Sequence, residues 1–532
     1  MTSAAAAISP AGELEWRPAV NPWIIALTVM LGTFMEVLDT SIANVALPHI
    51  AGNLSAGVDE GTWVLTSYLV SNAIILPLSG WLGSIFGRKR FFMACVGLFV
   101  VSSAACGLAP SLGWLVVFRV LQGAGGGSMQ PIAQAILVES FPRRQRGMGM
   151  AVYAMGVVVA PILGPTVGGW ITDSYSWRWI FFINIPVGVL SLMMTATFVE
   201  DPPFFHRRKL STLRIDYLGL GLLSLGLGAL QVVLDKGERE DWFESNFITI
   251  FTAVSVVALV AVVIWELRHK DPVVEFHLLK ERNFLFSVLT MFVLGFVLYG
   301  STALLPIFLQ TILGYTAMLS GLVLSPGAVL TLLFLPVVGK LLTRFDARWL
   351  VIFGVVCVAV SMWQMSRFDL TVDYWTAVNS RIAMGLGLPF LFVPINSMAF
   401  DFVPKNKTNQ ASGLMNLARN IGGSCGIAFI ATMLARGAQV HQNFLVANLS
   451  PLNPAYQSAV QGATTVLQQQ GSLAPVAAQQ AQGLLYGNMQ RQAAMLAVVD
   501  DFRILAYLFL LLVPLMFLMK KTAPHGPGPG AH

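Results

Sequence analysis

Apolar runs of about twenty residues recur fourteen times along this chain, and each is long enough to cross the ~30 Å hydrocarbon of a bilayer. A segment in lipid must satisfy its own backbone N–H and C=O groups, so such runs are helices. The first six run Trp23–Leu47, Trp63–Leu82, Phe91–Ala109, Leu112–Leu137, Met148–Ile171 and Trp179–Phe198. A middle pair runs Ile215–Leu234 and Phe247–Leu267. The last six run Phe284–Ile312, Leu319–Leu342, Trp349–Met365, Tyr374–Met398, Ala411–Leu434 and Phe502–Met519. Only 11% of the residues are charged, against about 25% in soluble chains. The expectation is an all-α integral membrane protein.

The net charge of +6 sits in short loops, which excludes a nucleic-acid face and sets orientation instead. With the N-terminus inside, the inner loops and the two terminal segments hold 22 Lys and Arg, among them Arg88-Lys89-Arg90, Arg143-Arg144 and Arg207-Arg208-Lys209, against 7 outside. Both termini are therefore expected in the cytoplasm. The expected division is a cytoplasmic segment 1–22, a six-helix bundle 23–200, a linker with two extra helices 201–283, a second six-helix bundle 284–519 and a disordered tail 520–532. Within the second bundle, 437–500 is rich in Gln, Ala, Ser and Asn and reads as an outer segment, not a span. Ala477–Leu485 and Met489–Val499 have the pattern of amphipathic helices. The four cysteines lie in apolar runs and read as small core side chains.

The two sets of six spans look related. Leu76-Pro77-x-x-Gly80-x-Leu82 recurs as Leu335-Pro336-x-x-Gly339-x-Leu341, and Arg119-x-x-x-Gly123 recurs as Arg381-x-x-x-Gly385, at shifts of 259 and 262. Internal duplication suits a transporter with its site between the halves near the midplane.

Ionisable groups inside spans are costly and therefore informative. Glu36 and Asp39 are three residues apart in span one, on neighbouring positions of one helix face. Burial favours the neutral form of a carboxyl group and a nearby cation favours the ionised form. An acid moved between those settings loads and releases a proton. The other reading is a structural acid capped by Thr40 or Ser41. Arg119 in span four needs a carboxylate or several carbonyls and is the expected partner of Asp39; a fixed packing anchor is the alternative. Arg381 and Arg419 are the comparable second-half cations. Gly123-x-x-x-Gly127 and Gly164-Pro165-x-x-Gly168-Gly169 give smooth faces for close helix approach. No GxxxxGK[ST] loop, nucleophile–base pair or metal cluster occurs in the sequence. A protein that is no enzyme, no ATP-driven pump and without cofactor is expected.

Several of these stretches carry a family resemblance. Leu38-Asp39-Thr40-Ser41-Ile42-Ala43-Asn44-Val45-Ala46-Leu47-Pro48, Gly80 through Gly87-Arg88-Lys89, Arg119-Val120-Leu121-Gln122-Gly123, Ala160 through Gly164-Pro165 with Gly168-Gly169, and Arg419 through Ser424 resemble the motifs of the major facilitator superfamily. They look most like its fourteen-span drug:proton antiporters of the EmrB/QacA type. Ser84 departs from the Asp usual in that family's gating loop. The resemblance implies two pseudo-symmetric six-helix bundles plus two extra helices, located in a bacterial inner membrane. It implies export of hydrophobic and amphipathic drugs against protons by alternating access. Proton coupling falls to Asp39, Arg119 and Glu36. The gating and structural positions are Gly80, Gly87, Arg88, Gly123, Gly164, Pro165, Gly168 and Gly169. It also implies a periplasmic EmrA-like membrane-fusion adaptor, for which 437–500 is a candidate surface, and a TolC-like outer-membrane channel. By span position alone, Asn44, Tyr68, Asn72, Gln134, Tyr299, Gln310, Asn396 and Asn416 are candidate cargo-lining groups in a central apolar cavity. Two rivals remain open on the residues: a carrier of one metabolite or siderophore, and a non-transporting scaffold or receptor.

Overall fold

The computed structural model describes residues 7–8, 14–15, 18–56, 58–142, 145–201, 216–269, 272–401, 403–404 and 407–520. Arg143, Arg144, Arg207, Arg208, Lys209 and the tail beyond Lys520 lie outside the described residues, as does most of 1–22. Among the described residues the chain is helical apart from a two-residue antiparallel pair, Ala7–Ile8 with Leu14–Glu15, within the expected cytoplasmic segment.

The first set of helices is α1 (Pro22–Asn53), α2 (Trp63–Phe86), α3 (Arg88–Gly107), α4 (Leu112–Gly126), α5 (Met129–Ser140), α6 (Arg146–Ser174) and α7 (Asn184–Phe198). The linker pair is α8 (Tyr217–Lys236) and α9 (Asn246–Arg268). Then come α10 (Arg282–Ile307), α11 (Ala317–Leu341), α12 (Ala347–Met365), α13 (Tyr374–Gly387), α14 (Pro389–Asp401), α15 (Thr408–Val446), α16 (Pro454–Gln469) and α17 (Ala474–Leu510). Among the described residues 12 helices are long and apolar enough to cross a membrane. The expected spans four and five fall outside that set. Span four is divided into α4 and α5 at Gly127-Ser128, and span five lies in the glycine-rich helix α6.

Both ends of the described chain lie at one end of the bundle. The Trp23 ring packs edge-on against Phe141 at 5.0 Å, and the Met519 carbonyl accepts from Arg348 Nη1 at 3.1 Å. A side chain on Gly147, just after Phe141, would meet Leu342 at 3.2 Å and the Gly339 carbonyl at 3.4 Å, which ties the two places together. The halves close on each other here in a reciprocal way. A Cβ on Gly80 of α2 would meet the Gln410 Cα at 2.7 Å, at the start of α15. A Cβ on Gly339 of α11 would meet the Met148 backbone nitrogen at 3.2 Å, at the start of α6. Deeper in, Gly123 faces the Tyr68 carbonyl and Gly385 faces the Gly327 carbonyl. The same relation appears twice, once in each half.

Glycines also fix the position of α1. Gly164 meets Ser41, Gly168 would meet Ile42 Cγ2 at 2.9 Å, and Ser41 Oγ donates to the Pro161 carbonyl at 3.2 Å. Gly169 faces open space, and Pro165 lies between them in α6. Gly87, between α2 and α3, has φ +83°, a conformation that suits only glycine well. Beside it Arg88 pairs with Glu139, and the Lys89 N–H donates to Asp201 Oδ1 at 2.9 Å. Ser84, where the family's Asp is missing, donates to its own helix at the Trp81 carbonyl, 2.7 Å away. The acidic contacts of this loop come from Glu139 and Asp201 instead.

The segment 437–500 differs from expectation. α15 runs 39 residues to Val446, and α17 begins at Ala474 and absorbs both predicted amphipathic stretches in one 37-residue helix. Gln and Ala are good helix formers, so a polar composition here lengthens helices where a loop was anticipated. At 1.5 Å per residue α15 is about 58 Å long, nearly twice the hydrocarbon thickness. His441 with Asp500 at 2.9 Å and Gln442 with the Tyr486 hydroxyl at 2.9 Å hold α15 to α17 as an arm.

The break between α4 and α5 yields a prediction. A Cβ on Gly127 would meet the Asn72 carbonyl oxygen at 2.6 Å and its Cα at 3.1 Å, backbone atoms that cannot swing aside. Gly127→Val is expected to destabilise the protein by about 1–3 kcal/mol, read as a lowered thermal midpoint in detergent. Gly169→Val, facing open space, is the control and leaves the midpoint unchanged.

Candidate functional site

Asp39 lies midway along α1 and is 2% exposed. Its carboxylate accepts from Arg119 Nη1 at 2.7 Å, Gln122 Nε2 at 3.0 Å and Asn184 Nδ2 at 2.6 Å. Arg119 and Gln122 are three apart on α4 and so share a face. Gly123 and Gly125 bring that face in: the first abuts the Tyr68 backbone, and a Cβ on the second would meet the Phe99 nitrogen at 2.8 Å. Arg119 is satisfied on its other edge by the Val64 carbonyl, 3.1 Å from Nε. Its guanidinium carbon sits 4.3 Å from the Tyr68 ring centre and 5.7 Å from that of Phe181, a favourable place for a desolvated cation. Asn184 also donates to Ser103 Oγ at 2.9 Å, which donates to the Phe181 carbonyl at 2.8 Å. Every partner comes from the first half. The suggested caps go elsewhere, Thr40 to the Val37 carbonyl and Ser41 to α6.

Glu36, one turn away, has a different setting. It accepts from three neutral donors: Tyr68 Oη at 3.1 Å, Asn72 Nδ2 at 3.3 Å and Gln130 Nε2 at 2.7 Å. The carbonyl of Gln130 takes Arg419 of α15, in the second half, and the Tyr153 hydroxyl at 3.3 Å. One turn along α5, Gln134 Oε1 accepts from Asn416 Nδ2 at 2.8 Å. Glu36 thus reaches the seam between halves through one amide, whereas Asp39 stays inside one half.

A void at the seam is lined by Met150, Tyr153, Val157, Phe392, Asn396 and Arg419 and measures about 10 Å³, room for about one water. A drug-sized pocket needs roughly 300 Å³ or more. Gln130, Gln134, Asn416 and Arg419 bridge the halves beside this void.

Of the candidate lining groups, Tyr68, Asn72, Gln134, Asn416 and Asn396 converge near this seam. Asn396 donates to the Phe392 carbonyl of its own helix at 2.7 Å and points its unpartnered oxygen into the buried region. Tyr299 packs on Gly423. Asn44 and Gln310 do not join. Asn44 is exposed and bonded to the Thr40 carbonyl of its own helix at 2.9 Å, and Gln310 is exposed on the π-turn Phe308–Ile312. Asn44 is five residues from Asp39, which turns it ~140° around α1. Gln122, Asn184, Gln130 and Tyr153 are the functional neighbours that span position alone missed. Gln122 and Gln130 were visible as amides in an otherwise apolar span, and Asn184 as a lone amide in Trp179–Phe198. Arg381 contacts the Met384 sulfur at 2.9 Å and lies apart from this cluster.

The fold has counterparts. The model of the Major Facilitator Superfamily matches residues 29–427. The chain belongs to this superfamily. It is 36% identical over 511 residues to the multidrug export protein EmrB of Escherichia coli K12, covering 96% of this chain and 98% of that one. It is 36% identical over 519 residues to the fatty acid resistance protein FarB of Neisseria gonorrhoeae, covering 97% and 99%. Among solved structures, the human organic anion transporter MFSD10 aligns with a TM-score of 0.61 at 12% identity over 93% of this chain and 100% of that one. The proton:xylose symporter XylE aligns at 0.55 and 16% identity over 80% and 90%. These structures share the superfamily fold.

Removing one member of a buried ion pair leaves an unpaired charge and costs about 3–5 kcal/mol. Arg119→Ala is expected to lower stability by that amount, and Arg119→Ala with Asp39→Asn by less than the single change alone. Thermal denaturation in detergent across this double-mutant cycle measures the coupling, and additive losses would show that the pair is not a unit.

Proposed function

We propose that this protein is a proton-driven multidrug exporter of the bacterial inner membrane. Asp39 carries the proton, and Arg119 sets its protonation. The observation that carries the reading is the Asp39–Arg119 pair, 2.7 Å apart and buried within one half of a superfamily fold. In the arrangement seen here Arg119 holds the Asp39 carboxyl group. Withdrawal of the guanidinium toward Val64 and the aromatic rings leaves a buried acid with neutral donors, a setting that favours proton uptake. Rocking of the halves about their seam switches between these settings and alternates access to a midplane cargo site. One proton crossing about 100 mV supplies about 2.3 kcal/mol, about fiftyfold in cargo gradient. The similarity to EmrB supports hydrophobic and amphipathic drugs as cargo.

We take the end bearing both termini as cytoplasmic, a reading that the basic loops support, and the halves meet closely at that end. We take the bundle to contain fourteen spans, with α4–α5 and α6 counted among them. The arm formed by α15, α16 and α17 then lies in the periplasm. It exposes Phe444, Leu452 and Leu473, at 74%, 90% and 74% of their surface. Exposed apolar residues beyond the lipid support a protein partner, and a membrane-fusion adaptor leading to an outer-membrane channel fits this position.

Purified protein in proteoliposomes with an imposed pH gradient tests the reading. Asp39→Asn is expected to abolish uphill dye export, a loss of about a hundredfold or more for an obligatory proton carrier. Export by Asp39→Asn at the wild-type rate under the same gradient would remove Asp39 from the role, and flux of a single metabolite but no dyes would select the specific-carrier reading. Replacing 447–473 by a short Gly/Ser linker is expected to leave dye transport in proteoliposomes unchanged and to abolish drug resistance in cells, because it removes the arm's tip and spares the bundle.

A further inference from the structure

Helix α8 belongs to neither six-span set in sequence, yet it grips the helix that supports Arg119. Lys236, at its end, is 6% exposed. Its Nζ donates to Thr62 Oγ1 at 2.5 Å and lies 5.0 Å from the Trp63 ring centre. The neighbouring Asp235 carboxylate takes the Thr66 hydroxyl. Thr62 and Thr66 bracket the first turn of α2, joined by the Thr66 N–H donating to the Thr62 carbonyl at 3.0 Å. Between them is Val64, fully buried, whose carbonyl receives Arg119 Nε. Burying a lysine costs free energy unless it is well bonded, and here the ammonium bonds the residue that opens α2.

The same linker element is also held by the second half. Ser424 of α15 donates to Gln231 Oε1 of α8 at 3.0 Å, and Trp242 Nε1, just past α8, donates to Thr432 Oγ1 of α15 at 3.0 Å. Movement of the second half therefore pulls on α8, and α8 is fastened to the turn that carries the Val64 carbonyl.

We propose that Asp235 and Lys236 are positioning residues for proton coupling: through Thr66 and Thr62 they register the Val64 carbonyl against Arg119, so that α8 transmits the place of the second half to the Arg119–Asp39 pair. The inference rests on the antiport reading and gives the linker pair a task within it. When α15 shifts, the 62–66 turn shifts with α8, and the carbonyl that competes with Asp39 for the guanidinium moves.

Thr62→Val is nearly isosteric and removes the acceptor for Lys236, whereas Thr62→Ser keeps the hydroxyl. In proteoliposomes, two fluxes are measured for each variant: downhill dye equilibration without a proton gradient, and uphill dye accumulation with one. For loss of a bond to a charged group, Thr62→Val is expected to lower uphill accumulation about tenfold and hold downhill flux within about twofold. Thr62→Ser retains both, and Lys236→Met repeats the Thr62→Val pattern. Wild-type accumulation in Thr62→Val overturns the inference. So does an equal fall in both fluxes accompanied by a lowered thermal midpoint, which is packing alone. A wild type indifferent to the gradient overturns the antiport reading itself, and the inference with it.

Discussion

A guanidinium and a carboxylate sealed inside a lipid-embedded bundle have no water to fall back on, and much of the first half is arranged around that fact. Arg119 and Asp39 are 2.7 Å apart. Each is completed by groups from other helices: Gln122, Asn184, the Val64 carbonyl and the faces of Tyr68 and Phe181. These contacts need α1, α2, α4 and α7 to meet within a few ångströms, and the glycines between 123 and 127 remove the side chains that would keep them apart. The fold therefore depends on a local imbalance of polar groups that only this set of helices resolves.

Two acids one turn apart illustrate how setting divides labour. Asp39 meets a cation directly and belongs to one half. Glu36 meets only amides and a phenol, and its link to the second half runs through Gln130. The contacts of Asp39 lie within the first half, whereas those of Glu36 stand one amide away from the second. The sequence placed both acids on one helix face but could not divide them, because the division is made by α4, α5 and α15.

Legibility in the sequence followed the same line. Hydropathy located the helices, since lipid dictates their length and apolarity, and the cost of burial singled out Asp39, Arg119 and Glu36. Identity of the partners was harder to read. Asn184 stands 145 residues from Asp39, and only packing brings them together. Asn44 was drawn in by proximity in sequence and lies on another side of α1, and Gln310 follows a proline that opens the helix into a wider turn. In the long arm the two amphipathic stretches were legible but their union into one helix with the last span was not, although the Ala and Gln content favours helix throughout. Ser84 bonds its own helix, and Glu139 and Asp201 come from elsewhere in the chain to meet Arg88 and Lys89.

Gln130 has a property that a charged residue in its place would lack. Its amide presents nitrogen to Glu36 and oxygen to Arg419, so the acid and the base of opposite halves attract across a neutral spacer and never touch. A direct pair in this medium would resist parting by about 3–5 kcal/mol, whereas a hydrogen bond between an amide and an ion is worth about 1.5–3. The interposed amide thus works as a release coupling. It is firm enough to register the two bundles and weak enough that thermal motion can undo it on each turn of the cycle.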